Sequence, residues 1–166
     1  MIRWIAPLLF ALPVQAFEFE ALEGGTLDLD EMRGRAVLVV NTASLCGFTD
    51  QYADLQTLHE EYGPRGLTVI GVPSDEFRQE LGSEADVAEF CEVNYGLTLP
   101  LTTITDLRGS DAHPFYRWLA EQGAVPRWNF NKALLDTRGA LVAFEGAGTR
   151  PTDPKMRRAI EAVLPE

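Results

Sequence analysis

Two cysteines are the side chains of this sequence best suited to covalent chemistry. Cys46 lies in "NTASLCGFT", where a β-branched run ends and a segment with helical periodicity begins. A cysteine at a helix N-terminus faces unpaired backbone N–H groups and the positive end of the helix dipole, and both favour the nucleophilic thiolate. Ser44 or Thr49 could donate a further hydrogen bond to the sulfur. We therefore expect Cys46 to be reactive, although a small buried core residue is the alternative.

The elements around Cys46 follow from the spacing of apolar residues. "FEFEALEG" alternates apolar and charged residues and predicts a short N-terminal β-hairpin. "RAVLVVNTA" and "GLTVIGVP" are continuous apolar runs, typical of strands covered on both faces. Between them, "FTDQYADLQTLHEEYG" predicts a helix over residues 48–63, with tyrosines and leucines on one face.

The second half of the chain repeats this alternation. "SEADVAEFCEVNYG" predicts a helix capped by Ser83 with Asp86 three residues on, and another helix is expected from Pro114 to Gln122. "WNFNKALLDTRGALVAFEGAG" predicts two strands around the turn "DTRG", and an amphipathic helix closes the chain. The order β-α-β-α-α-β-β-α predicts an α/β, thioredoxin-like mixed sheet sandwiched by helices.

Length and charge limit the class of protein. The 166 residues suggest one domain, and 46% hydrophobic residues suffice for a core. The net charge of −11 disfavours binding to nucleic acid or to anionic lipid. The two histidines, His59 and His113, are isolated in the sequence, so neither a metal site nor a cofactor is predicted.

The first sixteen residues have the pattern of a secretory signal peptide. "MIR" supplies a positive end, "WIAPLLFAL" is apolar, and Val14 and Ala16 are small residues of the kind found before a cleavage site. The apolar stretch is shorter than the about 20 residues that span a bilayer. We expect cleavage after Ala16, a mature domain of residues 17–166, and a periplasmic location in a Gram-negative source. An N-terminal helix or an uncleaved anchor is the alternative.

Several motifs together resemble those of the glutathione peroxidase family. "NTASLCGFT" is similar to the motif that carries the peroxidatic cysteine or selenocysteine, and "NYGLTLPL", "AHPFYRWL" and "WNFNKALLD" follow in the family's order. The resemblance implies a thiol-dependent peroxidase that reduces hydrogen peroxide or organic hydroperoxides. It implies that Gln79, Trp128 and Asn129 surround the Cys46 sulfur with neutral N–H donors, which stabilise a thiolate and the departing oxygen.

Each of these three residues also has a structural interpretation. Trp128 could be a core aromatic, Asn129 a turn residue, and Gln79 an exposed loop side chain. The assignment of Gln79 is affected by differences from the family pattern: the chain has "PSDEF" where relatives often have Pro-Cys-Asn-Gln-Phe, the following loop is one residue shorter, and "QELG" replaces Gln-Glu-Pro-Gly. Asp75 and Glu76 would raise the pKa of a nearby thiol, and we expect them to point away.

The second cysteine bears on how the enzyme is regenerated. Relatives that use thioredoxin carry a resolving cysteine in the helix region of Cys91, whereas its apolar helix neighbours suggest a buried structural thiol. The sequence shows no cluster of Lys and Arg for glutathione, which favours a thioredoxin-type dithiol over glutathione as reductant. A monomer is expected. Two functions other than peroxidase remain as alternatives. One is a non-enzymatic redox sensor or binding domain. The other is a thiol–disulfide oxidoreductase, which would normally need Cys-x-x-Cys, whereas residue 49 is Thr.

Overall fold

The strands form two sheets in the computed structural model, which describes residues 17–166. An antiparallel pair joins β1 (Glu18–Glu20) to β2 (Thr26–Asp28). The main sheet contains β3 (Ala36–Thr42), β4 (Leu67–Pro73), β5 (Lys132–Leu135) and β6 (Leu141–Glu145) in the order β4-β3-β5-β6. β3 is parallel to β4 and antiparallel to β5, and β5 is antiparallel to β6. The predicted mixed sheet and N-terminal hairpin are confirmed.

Four α-helices connect or follow these strands, in the order that the sequence predicts. They are α1 (Gln51–Tyr62), α2 (Glu84–Tyr95), α3 (Pro114–Glu121) and α4 (Pro154–Glu161), and one turn of 3₁₀-helix (Gly63–Arg65) follows α1. Ser83 caps α2 as predicted, because its side chain accepts the Asp86 N–H. α1 begins three residues later than its predicted start at Phe48, because residues 46–50 form tight turns before the helix.

The helices cover both faces of the main sheet. One apolar cluster contains Tyr52 of α1, Val87 of α2 and Met156 of α4, together with both cysteines. The opposite cluster contains Phe115 and Leu119 of α3, Phe19 of β1 and the preceding Phe17. All seven residues of β3 are buried between these layers, as its continuous apolar run predicts. The carboxyl end of β3 therefore leads directly to the Cys46 turn.

The outer edge of β4 is covered by the segment that follows α2. Gly71 N–H donates to the Pro100 carbonyl, and Thr102 N–H donates to the Gly71 carbonyl, each over 3.0 Å. A side chain at residue 71 would place its Cβ 2.5 Å from a Leu101 methyl group, so any residue but glycine there would require the Leu101 side chain to move. Thr102 also forms an antiparallel β-bridge with Ala21, and this bridge joins the N-terminal pair of strands to the edge of the main sheet.

The predicted signal peptide, residues 1–16, lies outside the described residues. Within residues 17–166, no helix combines the length and the apolar character needed to cross a membrane.

Candidate active site

Cys46 lies in the turn between β3 and α1, but it is neither at the helix N-terminus nor uncovered. Its side chain is 4% exposed, while the neighbouring Leu45 is 61% exposed. The Cys46 carbonyl accepts the Thr49 N–H, and Asp50 is the N-cap of α1, so the first helical turn begins after the cysteine turn. The expectation of an uncovered sulfur at the helix start is wrong, since the turn folds the thiol inward beneath exposed neighbours.

A second segment, residues 79–81, lies against the cysteine turn. Leu45 N–H donates to the Gln79 carbonyl over 2.8 Å. One oxygen of the Glu80 carboxylate, Oε1, accepts two backbone N–H groups, that of Ser44 at 2.9 Å and that of Leu81 at 2.8 Å. These bonds fix Gln79 beside the residue that precedes Cys46.

Gln79 and Asn129, predicted as donors, are brought together by the fold. Asn129 Nδ2 donates to Gln79 Oε1 over 3.0 Å. Asn129 is fully buried, and its Oδ1 has no hydrogen-bond partner among residues 17–166. Gln79 is half-buried, so its interpretation as a freely exposed loop side chain is wrong. The pair connects the segment that leads into β5 to the segment that contacts the Cys46 turn.

Trp128 is positioned through its backbone and its ring. Its carbonyl accepts the Asn41 Nδ2 at 3.0 Å, which ties it to the end of β3. Its ring lies 5.2 Å from the Phe77 ring, centroid to centroid, and the side chain is 42% exposed. An exposed indole is not a core aromatic, so that alternative interpretation is wrong. Its N–H is available to a ligand at the protein surface.

Two residues with strained backbones flank the proposed donors. Arg78 and Phe130 have φ of 56° and 59°, and they are the only non-glycine residues in the described chain with positive φ. Arg78 immediately precedes Gln79, and Phe130 immediately follows Asn129. Such conformations cost about 1–3 kcal/mol each and are concentrated at functional sites. No sequence pattern distinguished these two positions.

The charged residues near the site do not all behave as the sequence suggests. Burial raises the pKa of Glu80 above its usual range, against the hydrogen bonds that it accepts. Asp75 Oδ1 accepts the Glu80 N–H at 3.1 Å and is thus held within its own loop. Arg108 lies 4.7 Å above the Phe77 ring. Arg78 is exposed next to Phe77 in the sequence, and Arg127 is exposed next to Trp128, whose ring packs on Phe77. This grouping was not evident in the sequence, because the arginines come from three separate segments.

Cys91 is buried in α2, on the same side of the sheet as Cys46. It is 1% exposed, and burial raises the pKa of its thiol to about 11. Tyr52 of α1 packs its ring against Phe90 and Tyr95 on either side of Cys91, with centroids 6.4 and 5.3 Å apart. Both cysteines are free thiols in this structure. Cys91 also lines an open groove between α2 and the N-terminal strand pair.

His113 has a structural environment. The His113 ring stacks on Phe19 at 3.9 Å, and its Nε2 lies 2.7 Å from the Glu18 carbonyl oxygen. Within residues 17–166, no group of three or more His, Cys, Asp or Glu side chains is arranged to hold a metal ion.

Comparison with known proteins identifies the family. A glutathione peroxidase family model matches residues 14–120. A hydroperoxy fatty acid reductase of Synechocystis sp. is 39% identical over 152 residues, which cover 84% of this chain and 90% of that protein. A glutathione peroxidase-like peroxiredoxin of Saccharomyces cerevisiae is 36% identical over 151 residues, which cover 87% of this chain and 91% of the relative.

Solved structures agree in fold. The apo form of Trgpx superposes with a TM-score of 0.66 at 30% identity, covering 90% of this chain and 96% of that one. A thiol-disulfide isomerase from Corynebacterium glutamicum has a TM-score of 0.71 at 17% identity over 96% of this chain and 99% of its own, and this likeness shows the thioredoxin-like fold alone. The cysteine turn, the motif order and these relatives lead to one conclusion: the chain belongs to the glutathione peroxidase family.

Proposed function

We propose that this protein is a thiol-dependent peroxidase that reduces hydrogen peroxide or organic hydroperoxides at Cys46. The observation that carries the proposal is the meeting of Gln79 and Asn129, hydrogen-bonded to each other, at the turn that holds Cys46. The family membership and the relatives' names, which include a hydroperoxy fatty acid reductase and a peroxiredoxin, support the same reaction.

The first step oxidises Cys46. Its thiolate attacks one peroxide oxygen, an S–O bond forms and the O–O bond breaks, which leaves a sulfenic acid and an alkoxide or hydroxide that takes up a proton. Gln79, Trp128 and Asn129 supply neutral N–H groups that stabilise first the thiolate and then the departing oxygen. Leu45 and Phe48 are exposed in the turn that holds Cys46, and with the exposed Trp128 they offer apolar surface to an organic hydroperoxide.

The second step returns Cys46 to its thiol. Cys91 attacks the Cys46 sulfur, the S–O bond breaks, hydroxide leaves as water, and a Cys46–Cys91 disulfide forms. A thioredoxin-type dithiol then reduces this disulfide by thiol–disulfide exchange, or glutathione reduces the sulfenic acid directly. We favour the dithiol as the reductant.

The protein acts as a monomer that is exported and cleaved after Ala16. Mass analysis of the native protein tests that cleavage, because the mature chain should begin at Phe17.

Substitution of Cys46 tests the proposal. Cys46→Ser should abolish turnover of hydrogen peroxide and cumene hydroperoxide and leave the circular dichroism spectrum unchanged, because the serine hydroxyl is too weakly acidic to replace a thiolate. Cys91→Ser is the matched control: it should still consume one equivalent of peroxide per chain but stall with thioredoxin. Near-normal turnover by Cys46→Ser would make the domain a sensor or binding module.

The donors are tested in the first step alone. Asn129→Ala and Trp128→Phe should each slow stopped-flow oxidation of Cys46 by about 10²–10³, as the loss of one oxyanion-hole donor does. Rates within twofold of the unmodified protein would assign both residues a structural role.

A further inference from the structure

Lys132 is a fully buried lysine on the same side of the sheet as Cys46. It begins β5 and is 0% exposed. It lies opposite Val40 of β3, which belongs to the cluster that contains both cysteines, and directly opposed residues of an antiparallel pair share one face of a sheet. Leu134, two residues on, belongs to the same cluster. The Lys132 side chain therefore enters the core beneath α1.

The charge of Lys132 is not neutralised by a close ion pair. Its Nζ donates to the Phe130 carbonyl over 2.7 Å, and no carboxylate of the described residues lies within ion-pair distance of it. The charged groups around it are farther away: Asp54 of α1, Asp153, Glu145 of β6 and Arg150. Burial lowers the pKa of Lys132 to about 8. A buried ammonium without a close ion pair destabilises the fold, so we looked for a role of Lys132 other than stability.

The acceptor of this hydrogen bond belongs to the active-site loop. Phe130 has φ of 59° and directly follows Asn129. Its N–H donates to the Asn41 carbonyl and its own carbonyl accepts from Lys132, so both backbone polar groups of the strained residue are held. Asn129, whose Nδ2 donates to Gln79 Oε1, directly precedes this left-handed residue. No other described side chain donates to the Phe130 carbonyl.

We propose that Lys132 is a positioning residue of the peroxidase site: its ammonium holds the strained Phe130 turn and thereby keeps the Asn129 amide aimed at the reacting oxygen. The proposal rests on the proposed function, because it assigns Lys132 a part in the peroxide step. Lys132 itself does not touch the substrate.

A double-mutant cycle with Asn129 tests this role. Lys132→Met should slow stopped-flow oxidation of Cys46 by hydrogen peroxide about tenfold, but less than twofold in an Asn129→Ala background, because the residue through which it acts is already missing. Lys155→Met, at an exposed lysine paired with Glu145, is the matched control and should leave the rate unchanged. Equal slowing in both backgrounds overturns the proposal. If unmodified protein consumes no peroxide, the proposed function fails instead.

The unmodified protein provides a test that does not depend on the variant folding. The chain has two lysines, so the ¹⁵N resonance of Lys132 Nζ can be assigned with Lys155→Met. The rate at which peroxide oxidises Cys46 is divided by the rate at which iodoacetamide alkylates it, which corrects for the fraction of thiolate. This ratio should fall severalfold as pH rises and Lys132 Nζ loses its proton, because a neutral amine is a weaker hydrogen-bond donor than an ammonium. A ratio that stays constant through this titration overturns the proposal.

Discussion

The Glu80 carboxylate connects two segments of the site through a single oxygen. Oε1 accepts both the Ser44 and Leu81 N–H groups, while Oε2 is buried without a partner among the described residues. The segment that carries Gln79 is thus fastened to the cysteine turn by Glu80 rather than by Gln79 alone. A side chain that accepts from backbone groups without being charged should serve the same purpose.

We therefore expect Glu80→Gln and Glu80→Ala to behave differently. Glutamine keeps a carbonyl oxygen for both N–H groups, so its peroxide rate should stay within about threefold of the unmodified protein. Alanine leaves two buried donors unpaired, at about 1–3 kcal/mol each, and should lower the denaturation midpoint and the peroxide rate together. Urea unfolding and stopped-flow oxidation measure the two effects. Equal loss in both variants would show that the negative charge matters.

Residues of this kind mark the limit of what the sequence could predict about the site. Cys46 was singled out by its place between a strand and a helix, and Gln79, Trp128 and Asn129 were proposed because their motifs resemble those of a known family. Lys132 and Glu80 have the residue types of an ordinary surface, and their burial depends on strand register and loop contacts that no local pattern contains. The strained turns at Arg78 and Phe130 were missed for the same reason.

At the scale of elements, α2 is weakly attached to the rest of the molecule. Only Val87 and Cys91 of its twelve residues are fully buried, and an open groove runs beside it. If Cys91 resolves the sulfenic acid, we expect α2 to open, since Cys91 is buried in the helix and a disulfide needs Cα atoms within about 7 Å. Elements with few buried contacts open at a low free-energy cost. The construction of α2 therefore suits a cysteine that must leave its site.

Val87→Ala tests this opening. It removes apolar contacts on the buried face of α2 and leaves both cysteines in place, so the opening should cost less and the disulfide should form faster after one equivalent of peroxide. The first oxidation step should be unchanged. Quenched-flow alkylation followed by mass spectrometry measures both steps. Unchanged disulfide formation with clearly faster amide exchange in α2 would contradict a resolving role that depends on opening.

The sequence predicted the elements better than their ends. The order of strands and helices is confirmed because the apolar periodicities are strong, and the Ser83 cap is confirmed because its chemistry is local. The start of α1 was placed too early, since Phe48–Asp50 form turns whose polar and aromatic composition also suits a first helical turn. That difference moved Cys46 away from the helix N-terminus on which its reactivity had been argued.

At the scale of the whole molecule, the buried ammonium of Lys132 should make stability depend on pH. A lysine pKa lowered from 10.5 to about 8 means that the folded state binds this proton less tightly than the unfolded state. The resulting destabilisation, about 3 kcal/mol at 1.4 kcal/mol per unit, is complete below pH 8 and is relieved as pH rises towards 10.5. The raised pKa of Cys91 has the opposite effect on stability: above pH 9 the thiol ionises more readily in the unfolded chain, so the free energy of unfolding falls as pH rises.

Lys132→Met should remove the lysine contribution from this profile. At pH 7 the variant should be at least as stable as the unmodified protein, because the lost hydrogen bond to Phe130 offsets only part of the relief. Between pH 8 and 9, before Cys91 contributes, its stability should rise less with pH than that of the unmodified protein. Urea unfolding at closely spaced pH values measures the slope, with Lys155→Met as control. Parallel profiles would show that Lys132 titrates normally.

The covering of β4 by residues 100–102 also limits how copies of this protein can aggregate. An unpaired strand edge is a template on which a second chain can build, and this one is occupied at Gly71 by the chain's own backbone. Within the described residues, β6 has no strand on its outer side, and its Glu145 is engaged by Lys155. Edge-to-edge growth of the sheet is therefore hindered at Gly71 on the β4 side, whereas the β6 side offers a second chain an edge with no strand on it.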